Sequence, residues 1–137
     1  MFATTGPSGI GLAIAAMRAS DLGARRNRFA ISLDPAPITP ASGSAADAEA
    51  ARRIDALRNL IYLDPVLLGR YPEDVLADTA GLTDWSFVAD GDLGTINAPI
   101  DLLGINYYQP FRVRLAGRPD HDPVTDGNDQ SWNWPDQ

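Results

Sequence analysis

The sequence predicts an α/β protein, because two strand-like segments flank a long amphipathic helix. Residues 29–33 and 100–105 are short runs of mostly apolar residues, which is typical of strands buried on both faces of a parallel sheet. Between them, residues 44–63 carry apolar side chains at helical spacing. Two buried strands with a helix between them place the chain in the α/β class.

The N-terminal part predicts a short helix after an irregular segment. Residues 1–8 are small and turn-forming, and we expect them to be irregular. In residues 9–19 the apolar side chains recur at helical spacing, which predicts a helix. The apolar face of this helix is predicted to consist of Ile10, Ala13, Ile14 and Met17.

The first strand, residues 29–33, is closed by Asp34 and Pro35. An aspartate before a proline is more often a turn former than a catalytic group. Asp34 also stands at the carboxyl end of a predicted strand, where α/β barrels place their ligand sites. We therefore keep Asp34 as a candidate for lining such a site.

The long central helix is the best-defined local element. It is predicted to begin at Ser44, with Asp47 three residues on as a variant of the capping box. Its apolar stripe is predicted to consist of Ala50, Ile54, Leu57 and Ile61. Glu49 and Arg53 stand four residues apart, a pair worth about 0.3 kcal/mol. We expect the helix to end near Leu63, because the Asp-Pro pair that follows cannot continue it.

The second strand is followed at once by polar and aromatic residues. Because side chains alternate along a strand, one face is predicted to carry Leu102, Gly104, Asn106 and Tyr108. Tyr107 is predicted to point to the other face. An amide and a phenol at the carboxyl end of a buried strand lie where α/β barrels place their active sites. From spacing alone, a core strand with an ordinary polar exit is the alternative.

The motif at residues 101–108 carries a family resemblance. Its sequence, Asp-Leu-Leu-Gly-Ile-Asn-Tyr-Tyr, resembles the Asp-Phe-Leu-Gly-Ile-Asn-Tyr-Tyr signature of the family 1 glycoside hydrolases, the β-glucosidase family. In that family the motif forms the sixth strand of an eightfold barrel. Residues 11–19 resemble the family's His-Gly-Leu-Ala-Val-x-Ala-Leu-Arg-Ala helix before strand five. Residues 64–72 resemble its Leu-Asp-Pro-x-x-x-Gly-x-Tyr-Pro segment, so the resemblance runs through most of residues 11–113.

The resemblance implies an incomplete (β/α)8 TIM barrel. A complete barrel typically needs about 250 residues, whereas this chain has 137. We expect residues 9–115 to form the part of the barrel from the helix before strand five through strand six. Residues 116–137 are rich in Gly, Pro, Asp and Asn and are predicted to be a loop or a disordered tail. Trp132 and Trp134 in this tail either stack against a sugar ring or are exposed aromatic side chains that associate nonspecifically.

The activity implied by the resemblance is retaining hydrolysis of β-linked glucosides or oligosaccharides, without metal or cofactor. Retaining glycosidases need two carboxyl groups about 5–5.5 Å apart, and the family carries both as Glu, in Asn-Glu-Pro and Thr-Glu-Asn-Gly. The chain has only Glu49 and Glu73, neither in such a context, so we expect it to be inactive alone. By motif match, Tyr108 corresponds to the tyrosine that hydrogen-bonds the nucleophile and Asn106 to an asparagine of the same pocket. Asp34 is the third candidate pocket residue.

Two other functions stay open. Residues 4–11 resemble the Thr-Gly-x-x-x-Gly-x-Gly phosphate loop of the short-chain dehydrogenases, which bind nucleotides. Against this, Thr5 replaces the first glycine, and the chain has no Lys for that family's Tyr-x-x-x-Lys pair. The other alternative is a non-catalytic partial barrel that binds a partner or associates with itself through exposed sheet edges.

Charge and composition exclude several functions. The net charge of −7 argues against binding nucleic acid, which needs a basic surface. No apolar run approaches the roughly 20 residues of a membrane span, so we expect no membrane partner and a cytoplasmic protein. The chain has no cysteine, and its single histidine, His121, has no second ligand nearby, so no metal site is expected.

Overall fold

The computed structural model describes residues 7–20 and 27–115, which form helices and short parallel strands. In chain order the elements are α1 (Pro7–Ala19), β1 (Ala30–Leu33), β2 (Ile38–Pro40), α2 (Ala45–Asp55), a π-helical turn (Ala56–Leu60), α3 (Ile61–Leu68), α4 (Glu73–Asp78), α5 (Asp92–Ile96), β3 (Leu102–Ile105) and β4 (Phe111–Val113). The predicted α/β class is confirmed, with the two predicted strands present as β1 and β3. The predictions for the C-terminal tail, including His121, Trp132 and Trp134, lie outside the described residues.

The strands of the described part pair in two parallel ladders. β1 pairs with β3, so that Ala30 lies opposite Leu102 and Leu33 opposite Ile105. β2 pairs with β4 in the same sense. Parallel strands need a crossover connection of about a dozen residues or more. Here the helices α2 to α5 lie between β1 and β3 in the chain and supply it.

The main core lies between one face of the β1–β3 pair and three helices. Its buried residues are Ile14 of α1, Ile31 of β1, Val66 of α3 and Ile96 of α5. Leu33 and Leu103 pack against this cluster. Both lie on the same face as Ile31, because side chains alternate along each strand and Ile31 is opposite Leu103. One face therefore anchors both strands to the helices.

The opposite face of the β1–β3 pair is uncovered among the described residues. Ala30, Ser32 and Leu102 are all exposed there, Leu102 to 46%. The prediction that residues 100–105 form a strand buried on both faces is therefore wrong for this chain. The physical reason is that the helices cover only one side of a two-stranded sheet, while parallel sheets are normally covered on both.

The central helix packs against β4 through a second, smaller cluster. Ala51 and Ile54 of α2 are buried there together with Val113 of β4. The predicted apolar stripe is thus confirmed at Ile54, with Ala51 more deeply buried than the predicted Ala50. The predicted N-cap is also confirmed, since the Ser44 hydroxyl accepts a hydrogen bond from the Asp47 N–H at 3.1 Å.

The first helix differs from the prediction in its start and in its buried face. It begins at Pro7, within the segment expected to be irregular. Ile14 is buried as expected, but Ala13 and Met17 are exposed, and the side chain of Ile10 lies outside the described part. The reason is Gly11, which lets α1 approach α5 so closely that a Cβ there would lie 1.8 Å from the Thr95 carbonyl oxygen. The helix therefore turns its Gly11 side inward.

The expected helix end near Leu63 is wrong, because the chain stays helical through Pro65 to Leu68. In a regular α-helix the ring of Pro65 would clash with the carbonyl four residues earlier, that of Ile61. The π-helical turn Ala56–Leu60 ends immediately before Ile61 and is wider than a regular α-helical turn. The helix ends instead at Gly69, whose φ of 68° is the left-handed conformation typical of a glycine C-cap.

Candidate functional site

The candidate site lies where the β1–β3 ladder breaks off and the β2–β4 ladder begins. The irregular residues 34–37 and 106–110 lie between the two ladders. Their ends are joined by backbone hydrogen bonds from the Asn106 N–H to the Leu33 carbonyl (2.8 Å) and from the Phe111 N–H to the Pro37 carbonyl (2.9 Å). These two segments are therefore held together at both ends, at the carboxyl ends of β1 and β3, where barrels carry their active sites.

Two of the three predicted site residues begin these segments side by side. Leu33 and Ile105 are opposite each other in the ladder, so the next residues, Asp34 and Asn106, lie next to each other across it. Tyr108 lies two residues beyond Asn106 and is 79% exposed. All three predicted residues thus lie at one end of the sheet, and Asp34 and Asn106 are also exposed.

Arg58 lies beside the candidate site residue Asp34, and the sequence analysis did not single it out. Its guanidinium lies 3.6 Å from a carboxylate oxygen of Asp34 and 4.6 Å from the ring centre of Phe111, in a cation–π contact. The Nε of Arg58 is buried without a hydrogen-bond partner among the described atoms. The only sequence signal was a charged residue close to the apolar positions of the central helix, and it did not indicate which way the side chain points.

Asn59 holds the loop that carries Asp34. Its side-chain oxygen accepts a hydrogen bond from the Ala36 N–H at 3.0 Å, and its side-chain nitrogen donates to the Ala36 carbonyl at 2.8 Å. The same nitrogen donates to an Asp55 carboxylate oxygen at 2.6 Å. Asn59 is buried, and a buried polar group is stabilising only when it is satisfied in this way. We identify Asn59 as the residue that positions the loop.

Asp101 fixes the opposite, amino-terminal end of the sheet. Its carboxylate accepts a hydrogen bond from the Phe29 N–H at 2.8 Å, just before β1, and pairs with Arg18 at 3.0 Å. The Arg18 guanidinium also lies over the Phe29 ring, 4.7 Å from its centre. The Phe29 N–H, with a further contribution from Arg18, lowers the pKa of Asp101 below its ordinary value. This cluster aligns β1 and β3 at the end remote from the candidate site.

The side chains of these two segments give the candidate site the chemistry of a hydrogen-bonding surface. Segments 34–37 and 106–110 present a carboxylate, side-chain amides and two phenols, with a guanidinium behind them. Asp34 is the only carboxylate in these two segments, so they lack the two carboxyl groups that glycoside hydrolysis requires. Among the described residues no group of three or more His, Cys, Asp or Glu side chains could hold a metal ion. No helix of residues 7–20 and 27–115 is both long and apolar enough to cross a membrane.

Comparison with known proteins agrees with this geometry. Residues 11–133 match the sequence profile of glycosyl hydrolase family 1. A bifunctional β-D-glucosidase/β-D-fucosidase of Bifidobacterium breve is 45% identical over 82 residues, which is 60% of this chain and 18% of that protein. The thermostable β-glucosidase B of Thermobispora bispora is 50% identical over 68 residues, 50% of this chain and 14% of that protein.

Solved structures show the same relationship. The psychrophilic β-glucosidase BglU of Micrococcus antarcticus superposes with a TM-score of 0.71 at 42% identity, over 83% of this chain and 24% of that one. The family 1 β-glucosidase of Exiguobacterium antarcticum superposes with a TM-score of 0.75 at 27% identity, over 88% of this chain and 27% of that one. The fold and the site at its strand ends thus define part of a (β/α)8 barrel. The chain belongs to glycosyl hydrolase family 1, and it spans about a quarter or less of the length of these relatives.

The predicted nucleotide-binding alternative is wrong. Its loop would include Gly9 and Gly11, but both lie inside α1 rather than in a turn before a helix. The absence of a side chain at Gly11 is explained by the close contact of α1 with Thr95. The family match begins at Gly11, so the rest of α1 belongs to the matched segment.

Proposed function

We propose that this chain forms the strand-five-to-strand-six part of a retaining β-glucosidase-type hydrolase acting on β-linked glucosides. The observation that carries the proposal is the position of Asp34 and Asn106, side by side at the carboxyl ends of paired parallel strands. Tyr108 follows at the same end of the sheet. These are the positions from which a barrel presents side chains to its substrate.

In this proposal the chain supplies the supporting side chains and the rest of the barrel supplies the two carboxyl groups. The Tyr108 hydroxyl donates a hydrogen bond to the nucleophilic carboxylate, which keeps that group ionised and oriented. Asn106 and Asp34 hydrogen-bond sugar hydroxyls in the same pocket. Because hydrolysis with retention needs two carboxyl groups on opposite sides of the glycosidic bond, the chain by itself has no turnover.

The experiment replaces the matching segment of the Micrococcus antarcticus β-glucosidase with residues 11–113 of this chain. We expect the chimera to hydrolyse a chromogenic β-glucoside and the isolated chain not to. Tyr108→Phe in the chimera lowers kcat by about 10- to 100-fold, the value of a hydrogen bond to a charged group of about 1.5–3 kcal/mol.

The neighbouring phenol provides a matched control. Tyr107 is also exposed and is one residue away. The alternation of side chains expected from the sequence directs it away from Tyr108. Tyr107→Phe is expected to leave kcat within about twofold of the parent chimera. Equal losses from the two substitutions, or a chimera that folds without turnover, would contradict the proposal. Turnover by the isolated chain would contradict its assigned supporting role.

A further inference from the structure

We propose that the β1–β3 pair is a docking surface for the remaining strands of a family 1 barrel when they are supplied on separate polypeptides. The barrel is then completed without a covalent link to this chain. The proposal rests on the proposed function, because it names the partner that completes the same site. It concerns three neighbouring surfaces, namely the two outer strand edges and the uncovered face of the sheet.

Both strands of the pair have an outer edge. Among the described residues, β1 pairs only with β3 and β3 only with β1. The outer edge of each strand therefore presents backbone N–H and C=O groups in a row, which is a template for another strand. The strands are parallel, so new strands added in the same direction on both sides would extend the sheet as in a closed barrel.

The uncovered face is shaped to accept close packing. Ala30, Ser32 and Gly104 on this face are small, and a Cβ at Gly104 would lie 3.0 Å from the Ser32 hydroxyl. Leu102 stands among them with 46% of its surface exposed. Small residues beside one exposed leucine leave room for side chains that arrive from strands across a barrel interior, where residues of alternate strands pack in layers.

The surface is already organised before any partner binds. At the amino end the Asp101 carboxylate holds the Phe29 N–H at 2.8 Å and Arg18 at 3.0 Å. At the carboxyl end the Asn106 N–H donates to the Leu33 carbonyl at 2.8 Å. Because the register is fixed at both ends, docking does not have to order these strands, and this lowers the free-energy cost of association.

The remainder of a barrel fits this surface better than a second copy of the chain does. A second copy related by a two-fold axis pairs one edge of each molecule with itself and leaves the other edge and the uncovered face in water. The rest of a barrel covers all three surfaces at once. This chain aligns with only 24% of the Micrococcus antarcticus β-glucosidase at a TM-score of 0.71, so the other parts of that enzyme contain the complementary strands.

The test co-expresses this chain with two polypeptides of the Micrococcus antarcticus enzyme, the parts before and after the matching segment. The complex is captured through a tag on this chain, and its mass is measured by light scattering. We expect one copy of each polypeptide. Leu102→Asp places a charge on the uncovered face and is expected to reduce capture at least about tenfold, because a charge would be buried without a partner.

The matched control is Leu82→Asp, which makes the same chemical change at a residue that is 69% exposed and lies between α4 and α5. This variant is expected to be captured within about twofold of the unmodified chain. Both positions are exposed in the chain alone, so circular dichroism of each variant is expected to match that of the parent. If the two flanking polypeptides aggregate on their own, their soluble yield with the parent chain compared with Leu102→Asp gives the same readout.

Three results would overturn the docking proposal. They are no capture and no gain in soluble yield, equal losses from the two aspartate substitutions, and a homodimer of this chain in place of the mixed complex. A captured complex that lacks turnover would support docking and count against the proposed function. An active covalent chimera with no capture between separate polypeptides would support the proposed function and count against docking.

Discussion

The side-chain amide of Asn59 makes two hydrogen bonds to the backbone of Ala36, at 3.0 Å to its N–H and 2.8 Å to its carbonyl. Both residues are buried. The amide thus takes the place that a neighbouring strand would occupy, at a point where the β1–β3 ladder has already ended. It links the π-helical turn to the loop that carries Asp34, so the shape of the candidate site depends on a residue in a helix.

Asn59→Ala is expected to lower the free energy of unfolding by about 2–4 kcal/mol, because it leaves the buried Ala36 N–H and carbonyl unsatisfied. Urea unfolding followed by circular dichroism measures the change. Asn106→Ala is the control, since the side chain of Asn106 is exposed and its backbone hydrogen bond is retained. This control is expected to stay within about 0.5 kcal/mol of the parent. Similar decreases in the free energy of unfolding for both variants would show that the Asn59 hydrogen bonds make no specific contribution to stability.

Two glycines on touching helices are expected to respond to alanine in opposite ways. Gly11→Ala places a Cβ 1.8 Å from the Thr95 carbonyl oxygen, so α1 must move away from α5 at a cost of about 1–3 kcal/mol or more. At Gly94, on α5 itself, a Cβ would meet no atom within 4 Å. Gly94→Ala therefore stabilises by up to about 1 kcal/mol through helix propensity. Thermal unfolding of both variants tests the opposite signs, and a stabilising Gly11→Ala would refute the close contact.

Acid sensitivity is expected to depend on Glu49. Hydrogen bonds from Arg52 and then Arg53 lower the pKa of Glu49 from 4.5 to about 2. A carboxyl whose pKa is lower in the folded state adds stability above its unfolded pKa, and this stability is lost as the pH falls through the folded pKa. Glu49→Gln should therefore flatten the dependence of the free energy of unfolding on pH between about 4.5 and about 2.

The other glutamate of the chain provides the comparison for that experiment. Glu73 lies exposed at the start of α4, beside Asp74, which pairs with Arg52 at 2.6 Å. Glu73 itself is not among the groups that lower the pKa of Glu49. Denaturant titrations of Glu49→Gln and Glu73→Gln over the same pH range separate the cluster from a general effect of charge. Identical pH profiles for the two variants would contradict the assignment of acid sensitivity to Glu49. High salt should weaken the effect of Glu49, because the cluster is at the surface.

Arg58→Met is expected to affect the site more than the fold. The contact of Arg58 with Asp34 is long, at 3.6 Å, and Asp34 is mostly exposed, so the pair contributes no more than about 1 kcal/mol. Methionine keeps an apolar stem over Phe111 and removes the buried, unpartnered Nε. In the chimera, KM is expected to rise by up to about fivefold with an unchanged melting temperature. A large loss of stability with an unchanged KM would show that Arg58 serves the fold and not the site.

The strands and the family could be predicted because they depend on local sequence patterns. β1 and β3 are short apolar runs, and the motif that ends in Asn106 and Tyr108 is contiguous in the chain. The Ser44 cap and the Glu49–Arg53 pair also join residues three or four positions apart, and both are present. Contacts of this range follow directly from helical geometry.

The features that escaped prediction depend on contacts between distant residues or on a local irregularity of the helix. The inward face of α1 is set by Thr95, which lies on another helix. The positions of Arg58 and Asn59 depend on the π-helical turn, for which the spacing of apolar residues gives no signal. The helix also continues through Pro65, where the Asp-Pro pair predicted its end. Residues 38–40 form a strand only because β4 lies beside them.

The most direct test of the proposed function is the pH dependence of kcat/KM for the chimera with Tyr108 and with Tyr108→Phe. If the phenol donates to the nucleophilic carboxylate, its removal raises the pKa of that carboxylate, and the acidic limb of the profile reports this pKa. We predict that the acidic limb moves to higher pH by about 1 unit in Tyr108→Phe. It should not move in Tyr107→Phe. An acidic limb that is the same with and without the Tyr108 hydroxyl would contradict the assignment of this chain to the nucleophile's side of a β-glucosidase site.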